Sequence, residues 1–555
     1  MRHPAQGWAI LGSMLVAAAR PTAASTLAAS ALLVAAALAL APGTASARYL
    51  PQERVPVSSP VYRDLERLMA SYDRAPLSFS TRPLRMQEIL AYLNSLVVEY
   101  PSSAGDPAMI RARRAVDPDA PGAGAPLITV RDDSTEVATF SPYVSVAYED
   151  DPRNRPDINR DYRVGAQVVA ALDSTTIFVF DGYEGTASQG GRGTPNFGRL
   201  NSVIEGVDLN SWMDEAYAEL KLARLRVLVG HASLRWGPGR DGTLALSDAA
   251  PPLDMVRLEA GFARKWRGQS FVALLDPGPQ TYLAGHRLEW NLRDMRLGVT
   301  ELARFDGTSQ ALLYSIPIVP YSFWEKRPKS APDGAVPGDT TGLALSKNNV
   351  LLAVDLSWNV RRGYRLWGEF LVDDISFSSD YKPDMIGWQA GMEERWLLGG
   401  GGDGAGASQP LRAATLSLEY NRVNNYTYSA WHGHNFDFQG FPVGFVYGPD
   451  VMLFAAEATY EHGANWEFRL RGELRRKGEG FIGDAWTREQ GKVDAGAISG
   501  IVERDARIAA RLTWTPSRML RLEGTVGYAS FKNEDHRNVG VENETPFRLA
   551  ARLEW

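Results

Sequence analysis

The 555-residue chain contains no cysteine. That excludes disulfides, thiolate zinc sites, iron–sulfur clusters and a lipid-anchored N-terminal cysteine. It is also poor in histidine, with seven residues scattered along its length, and carries a formal net charge of −6. An acidic balance argues against a nucleic-acid partner. Beyond residue 47 no apolar run approaches the roughly 18 residues of a membrane-spanning helix. No G-x-S-x-G and no P-loop occurs, and no cofactor is implied.

The first 47 residues hold Arg2, Arg20 and no acid. The run "LAASALLVAAALALA" leads to Ala45-Ser46-Ala47, a small-residue cleavage pattern, so residues 1–47 read as a secretory signal peptide. Met14 offers a second start that leaves Arg20 as the basic charge. Cleavage would take the net charge from −6 to −8. Residues 48–125 read as a helical region. "SPVYRDLERLMASYD" puts Val61, Leu65, Leu68 and Met69 on one stripe, with Ser59 and Pro60 as start signals. In "STRPLRMQEILAYLNSLVVEY", Ser80 or Thr81 is the expected cap and Ile89, Leu90, Leu93, Leu96 and Val97 form the stripe. "DPAMIRARRAVD" adds a third short helix, and "DPDAPGAGAP" is a linker by composition.

From about residue 140 the period changes from 3.6 to 2. In "NWEFRLRGELRR", Trp466, Phe468, Leu470 and Leu474 share one face, and Glu467, Arg469, Arg471, Glu473 and Arg475 the other. Eighteen such strands are expected, beginning near residues 140, 162, 174, 212, 225, 255, 269, 285, 295, 350, 363, 386, 412, 451, 465, 505, 518 and 547. Short links such as "AR" (223–224) and "RR" (361–362) alternate with long ones such as 306–349, 423–450 and 477–504. The Gly-rich 399–411 is an over-long exception. Tight turns at one end and long loops at the other mark an outer-membrane barrel, with apolar residues toward lipid and polar ones toward the lumen. Residues 126–555 are therefore assigned to an all-β transmembrane barrel of about 18 antiparallel strands. The barrel must close, because lipid does not tolerate an open edge. Trp212, Trp290, Trp358, Trp388 and Trp514 suit interfacial girdles. Charge rows such as Arg365/Glu369, Arg521/Glu523 and Arg548/Arg552/Glu554 read as paired, solvated lumen walls.

Two motifs invite chemistry. "GPGRDG" (237–242) matches G-x-G-x-x-G, but no helix follows to hold a pyrophosphate, so it reads as a tight loop. "HGH" (432–434) lacks further ligands at metal spacing, and no metal is expected. "NNYTYSAWHGHNFDFQGFPVGFVYGPD" (424–450) mixes aromatic rings with amides, a mixture that suits sugars. It equally suits packing over the barrel mouth.

At this point the chain resembles the Wzi-type capsule-assembly proteins of bacterial outer membranes. The resemblance rests on "SSPVYRDLERLMASY" with "STRPLRMQEILAYL", on "VLVGHASLRWGPGRDGTLALSDAAPPLDMVRLE" (227–259), on "HRLEWNLRDMRLGVTELARF" (286–305) and on "GFPVGFVYGPDVMLFAAEATY" (440–460). It implies an 18-stranded barrel with a periplasmic helical bundle against its lower mouth. It further implies a lectin-like, non-enzymatic role that holds capsular or exopolysaccharide on the cell surface. Expected partners are the polysaccharide, outer-membrane lipid and the barrel assembly machinery, and the chain is expected to be monomeric. Arg240, Asp241, Tyr426, Tyr428, Trp431, His434 and Asn435 are the candidate polysaccharide contacts. The alternatives are a carbohydrate-permeable or general porin and a barrel hydrolase, the latter resting on His432 and His434.

The chain ends on "FRLAARLEW", a strand whose final tryptophan is the kind of terminal aromatic that, the resemblance implies, assembly machinery reads. A polar tail added after Trp555 is expected to slow membrane insertion, measured as the rate at which the heat-stable folded form accumulates.

Overall fold

The computed structural model describes residues 50–555, except 51, 73–76, 132–135, 151–158, 186–209, 263–264, 316–319, 322–347, 375–382, 399–411, 431–432, 485, 488–489, 491–492 and 495. Everything described belongs to one compact unit. The signal-peptide expectation lies outside the described residues, as do the Gly-rich 399–411 and Trp431 and His432.

Among the described residues eighteen long antiparallel strands close into a barrel. They are β1 (Val137–Asp150), β2 (Asn159–Ala171), β3 (Thr176–Gly185), β4 (Asn210–Leu222), β5 (Leu225–Ala232), β6 (Leu253–Phe262), β7 (Trp266–Asp276), β8 (Thr281–Asn291) and β9 (Met295–Asp306), followed by β10 (Asn349–Arg361), β11 (Tyr364–Asp374), β12 (Met385–Leu398), β13 (Arg412–Val423), β14 (Val451–His462), β15 (Trp466–Lys477), β16 (Glu503–Trp514), β17 (Leu520–Lys532) and β18 (Phe547–Glu554). Each pairs with its neighbour, and β18 pairs with β1 from Phe547↔Asp150 to Glu554↔Tyr143. The Trp555 N–H donates to Pro142 O at 3.1 Å, so the last residue helps close the barrel.

Alternation sets the two faces. Phe454, Phe468, Leu470, Leu474, Ile508, Leu512 and Leu549 are exposed on the outside, while Glu457, Glu461 and Arg469 are buried within. Rings gather at the short-turn end: Trp266 stacks on Trp290 at 5.2 Å and Trp466 on Trp514 at 5.7 Å, with Trp358 exposed on the same rim. Trp388 lies at the opposite end beside Tyr420. Trp212 departs from the expected girdle. The register between β3 and β4 shifts at Asp181/Gly182. That bulge reverses the phase of β4, and Trp212 is buried against Tyr183.

Three helices, α1 (Val61–Tyr72), α2 (Met86–Glu99) and α3 (Pro107–Val116), match the three expected stripes. Leu65, Leu68, Met69, Ile89, Leu93, Leu96 and Met109 form their common core. Ser80 and Thr81 do not cap α2. Arg85 is its N-cap, with its N–H bonded to Glu88 at 3.0 Å. Thr81–Arg82 instead forms a short antiparallel bridge with Arg235–Trp236, because backbone inside the lumen needs partners.

The helical segment fills the barrel rather than only resting below it. Every described residue of α1 except Arg63 is buried. Arg54 donates to Glu219 at 2.6 Å and Glu259 at 3.0 Å, and Arg67 reaches Glu467 at 2.7 Å. Asp106 caps α3 through the Ala108 N–H at 2.9 Å. The same carboxylate accepts both forks of Arg395 on β12 at 2.8 Å. Removing one partner from such a buried pair typically costs ~3–5 kcal/mol, since the other charge stays buried. The expected Arg365/Glu369 pairing is not formed: Arg365 faces Glu66 of α1 at 3.7 Å, and Glu369 accepts loop N–H groups described below. Burial alone would raise the Glu66 carboxyl, but Arg365, Arg240 and Arg82 outweigh it and hold it at about 2.

Glu53 behaves oppositely. Burial pushes its carboxyl from 4.5 up to about 7, against the pull of Arg518. The folded state therefore keeps a proton that the unfolded chain has lost, and stability falls as pH rises from 4.5 through about 7. Glu53→Gln is expected to raise the unfolding midpoint at pH about 8 and leave it unchanged at pH about 4, measured by denaturant titration of the detergent-refolded protein.

Candidate functional site

Two loops at the long-loop end turn into the lumen and close it. The first, residues 233–252 between β5 and β6, carries the G-x-G-x-x-G stretch. Gly237 and Gly242 adopt φ of 132° and 129°, which an L side chain rarely tolerates. No helix follows, so the stretch is a tight loop. The wall receives its unpaired N–H groups. Glu369 on β11 accepts from Leu244 and Ala245, each at 2.9 Å, and Glu419 on β13 accepts from Arg240 at 2.8 Å and Asp241 at 3.0 Å.

The Arg240 and Asp241 side chains are likewise committed. Arg240 reaches Glu393 at 2.8 Å, with Glu66 and Glu457 at 3.5 Å. Asp241 accepts from Arg471 at 2.7 Å. Arg240 thus joins the loop to α1 and to two strands, deep in the lumen.

The second loop, residues 424–450 between β13 and β14, contains no long strand among its described residues. Phe436, Val443 and Phe445 pack with Trp236, Leu244 and Leu246 of the first loop into one apolar core. Tyr428 is its bolt: fully buried at φ 72°, it donates its hydroxyl to Leu244 O at 2.7 Å. The same hydroxyl accepts from the Phe445 N–H at 3.3 Å. Burial pushes this phenol well above its usual range. Gly444 is required by close approach, since a Cβ there would lie 2.2 Å from Leu244 O.

The other candidate contacts sit in or on this lid. Tyr426 is buried against Met385, with Trp486 and Val493 beside it. His434 is buried and its Nε2 lies 2.9 Å from Asp306. Asn435 is partly exposed, its side-chain oxygen accepting from the Ala430 N–H at 2.9 Å. The structure therefore gathers Arg240, Asp241, Tyr426, Tyr428, His434 and Asn435 at the closed end, but turns all except Asn435 largely inward. Trp431 lies outside the described residues. Phe481, in the 478–502 loop, is exposed at 63%. Its carbonyl accepts from Ser429 at 3.4 Å, which places it on the roof near Asn435. Sequence reading missed Phe481, along with Glu369, Glu419 and Asp450, the acceptors that anchor the loops. Strand parity pointed Glu369 and Glu419 inward, and nothing in it named their partners.

Tyr428→Phe removes the donor to a buried carbonyl, a loss of about 1–2 kcal/mol. The barrel is expected to stay folded while the two loops become protease-sensitive, read by limited proteolysis and mass spectrometry.

Residues 134–286 match the family model of capsule assembly protein Wzi. No curated protein matches the sequence. Among solved structures, Wzi of Escherichia coli is described as an outer membrane protein involved in group 1 capsule assembly and a carbohydrate binding β-barrel. It shares the fold with a TM-score of 0.57 at 15% identity, over 90% of this chain and 99% of that one. OccD3 of Pseudomonas aeruginosa gives 0.42 at 10% identity over 78% and 95%, and OccAB2 of Acinetobacter baumannii 0.41 at 10% over 76% and 98%. The family match runs into β8 and takes in the inward loop 233–252, and the barrel fold is shared with Wzi over nine-tenths of the chain, so this chain is an outer-membrane β-barrel that is similar to the Wzi-type capsule-assembly proteins.

Proposed function

We propose that this barrel is a lectin-like surface protein that attaches capsular or exopolysaccharide to the outer face of the outer membrane, with the helical segment periplasmic and the long loops outside. The observation that carries the reading is the sealed, aromatic- and amide-bearing mouth on a Wzi-type barrel. Two inward loops and α1 occupy the lumen, which favours a binding surface over a conduit. The polymer contacts are assigned to the roof. There the exposed Phe481 ring can stack on a sugar face, while Asn435, Asp437 and Gln439 offer hydrogen bonds to hydroxyls. Buried Tyr428, Arg240 and Asp241 act by holding that roof in place. Nothing in this mode requires bond cleavage, and the protein is read as non-enzymatic.

Phe481→Ala is expected to weaken binding of purified capsular polysaccharide by roughly 5- to 150-fold, the loss of a ring worth ~1–3 kcal/mol, with unchanged thermal stability. Binding is measured on the detergent-solubilised protein by surface plasmon resonance; unchanged affinity would remove Phe481 from the site. In planar bilayers the full chain is expected to show no stable open channel. A steady conductance from the full chain would favour the porin reading.

A further inference from the structure

A cavity of about 740 Å³ lies in the lumen beside the helical segment and beneath the inward loops. One wall is rich in arginine and the facing wall in carboxyl groups. Strands β15 to β18 present Arg469, Arg511, Arg521 and Arg552, joined by Arg518 from the turn after β16. Facing them are Asp181, Asp214 and Glu215 of β3 and β4, with Glu53 from the N-terminal segment. Ser141, Tyr143 and Gln167 of β1 and β2 lie between.

The basic wall is over-charged by its own register. Arg469 stands directly opposite Arg511, and Arg521 directly opposite Arg552. Directly opposed like charges destabilise an antiparallel pair. Arg469 is offset by Glu467 at 2.5 Å and Glu457 at 3.6 Å, but the rest of the wall shares its carboxylates. Glu523 alone faces Arg511 at 3.5 Å, Arg521 at 3.1 Å and Arg548 at 3.1 Å. Glu554 alone faces Arg518 at 3.6 Å and Arg552 at 3.0 Å. On the opposite part of the wall, Arg365 and Arg395 are closed off by the helical segment. Here Arg511, Arg518 and Arg521 keep about a third of their side-chain surface open, at 35%, 35% and 33%, although strand parity aims Arg511 and Arg521 into the barrel.

We propose that this cavity binds an acidic saccharide, a short oligosaccharide containing uronic acid. Its carboxylates lie on the arginine wall, where planar guanidinium forks match them. Its hydroxyls, which donate as well as accept, lie against the carboxyl and amide wall. That second wall offers little to a compact inorganic anion and accepts a polyhydroxylated one. The volume falls within the range of small-molecule sites. The site is inside the barrel, separate from the roof, and does not rest on the surface reading above.

The test uses the full-length protein in detergent, probed by calorimetry with trigalacturonate, neutral maltotriose and inorganic phosphate. Trigalacturonate binds, more weakly as salt rises, and maltotriose does not. The double variant Arg521→Gln with Arg552→Gln loses roughly tenfold or more in affinity. Its ligand-free melting temperature stays at or above the parent's, because an opposed like-charge pair is gone. Phe481→Ala leaves trigalacturonate binding intact. Equal binding of maltotriose, phosphate binding without trigalacturonate binding, or unchanged affinity in the double variant overturns the assignment. A lowered ligand-free melting temperature in the double variant overturns it too, by marking the arginines as structural props. Loss of trigalacturonate binding in Phe481→Ala overturns it by moving the site to the roof.

Discussion

A charged lumen has to be neutralised by something, and in this barrel the same chain supplies it. Rows of Glu, Asp and Arg point inward on almost every strand, and an isolated buried charge costs several kcal/mol. Arg54, Arg67, Arg111 and Arg240 enter from the helical segment and an inward loop to meet Glu219, Glu259, Glu393, Glu457, Glu461 and Glu467. Glu66 and Asp106 in turn meet Arg365 and Arg395 of the wall. These pairs need excellent geometry to offset desolvation, and their bidentate and shared arrangements provide it. The consequence is mutual dependence: the wall specifies where the filling sits, and the filling makes the wall's charge tolerable.

The closed mouth follows from the same rule applied to backbone. A loop that folds into a lumen brings N–H groups that must find acceptors. Glu369 and Glu419 serve the 233–252 loop, and Asp450 serves the 478–502 loop through Gly480 and Ser499. With the polar groups satisfied, Trp236, Leu244, Tyr428, Phe436 and Phe445 can form an apolar core above the lumen. The rings of the 424–450 loop are thus spent mostly on sealing the barrel. What remains outward is a smaller set of side chains on the roof, among them Phe481 and Asn435.

Most of the architecture was legible in the sequence. Period-2 alternation located eighteen strands, because one face of each must meet lipid and the other water. Helical stripes such as Leu65/Leu68/Met69 located the three N-terminal helices, while the short helix Thr308–Tyr314 fell in a segment read as a loop. The misses share a cause. Trp212 was placed on the lipid side because a one-residue bulge at Asp181/Gly182 leaves no mark in the alternation. Thr81 was read as a cap because cap residues are also good bridge residues, and its partner Trp236 lies far along the chain. Arg365/Glu369 was read as a local pair because two residues four apart in a strand share a face. Each instead meets a group from a distant segment.

The sequence by itself determined the strand count, the asymmetry of turns and loops, the two faces of the wall and the terminal strand that closes the barrel. These depend on local periodicity and on the length of links, which the chain states directly. Only the tertiary structure decided which way the loops fold, which carboxylate meets which guanidinium, and that Tyr428 and Arg240 brace the mouth while Phe481 faces out. Those outcomes depend on pairings across hundreds of residues. A buried charge or N–H accepts any partner of the right sign and reach, so its choice is made by the closed barrel and not by the residues beside it.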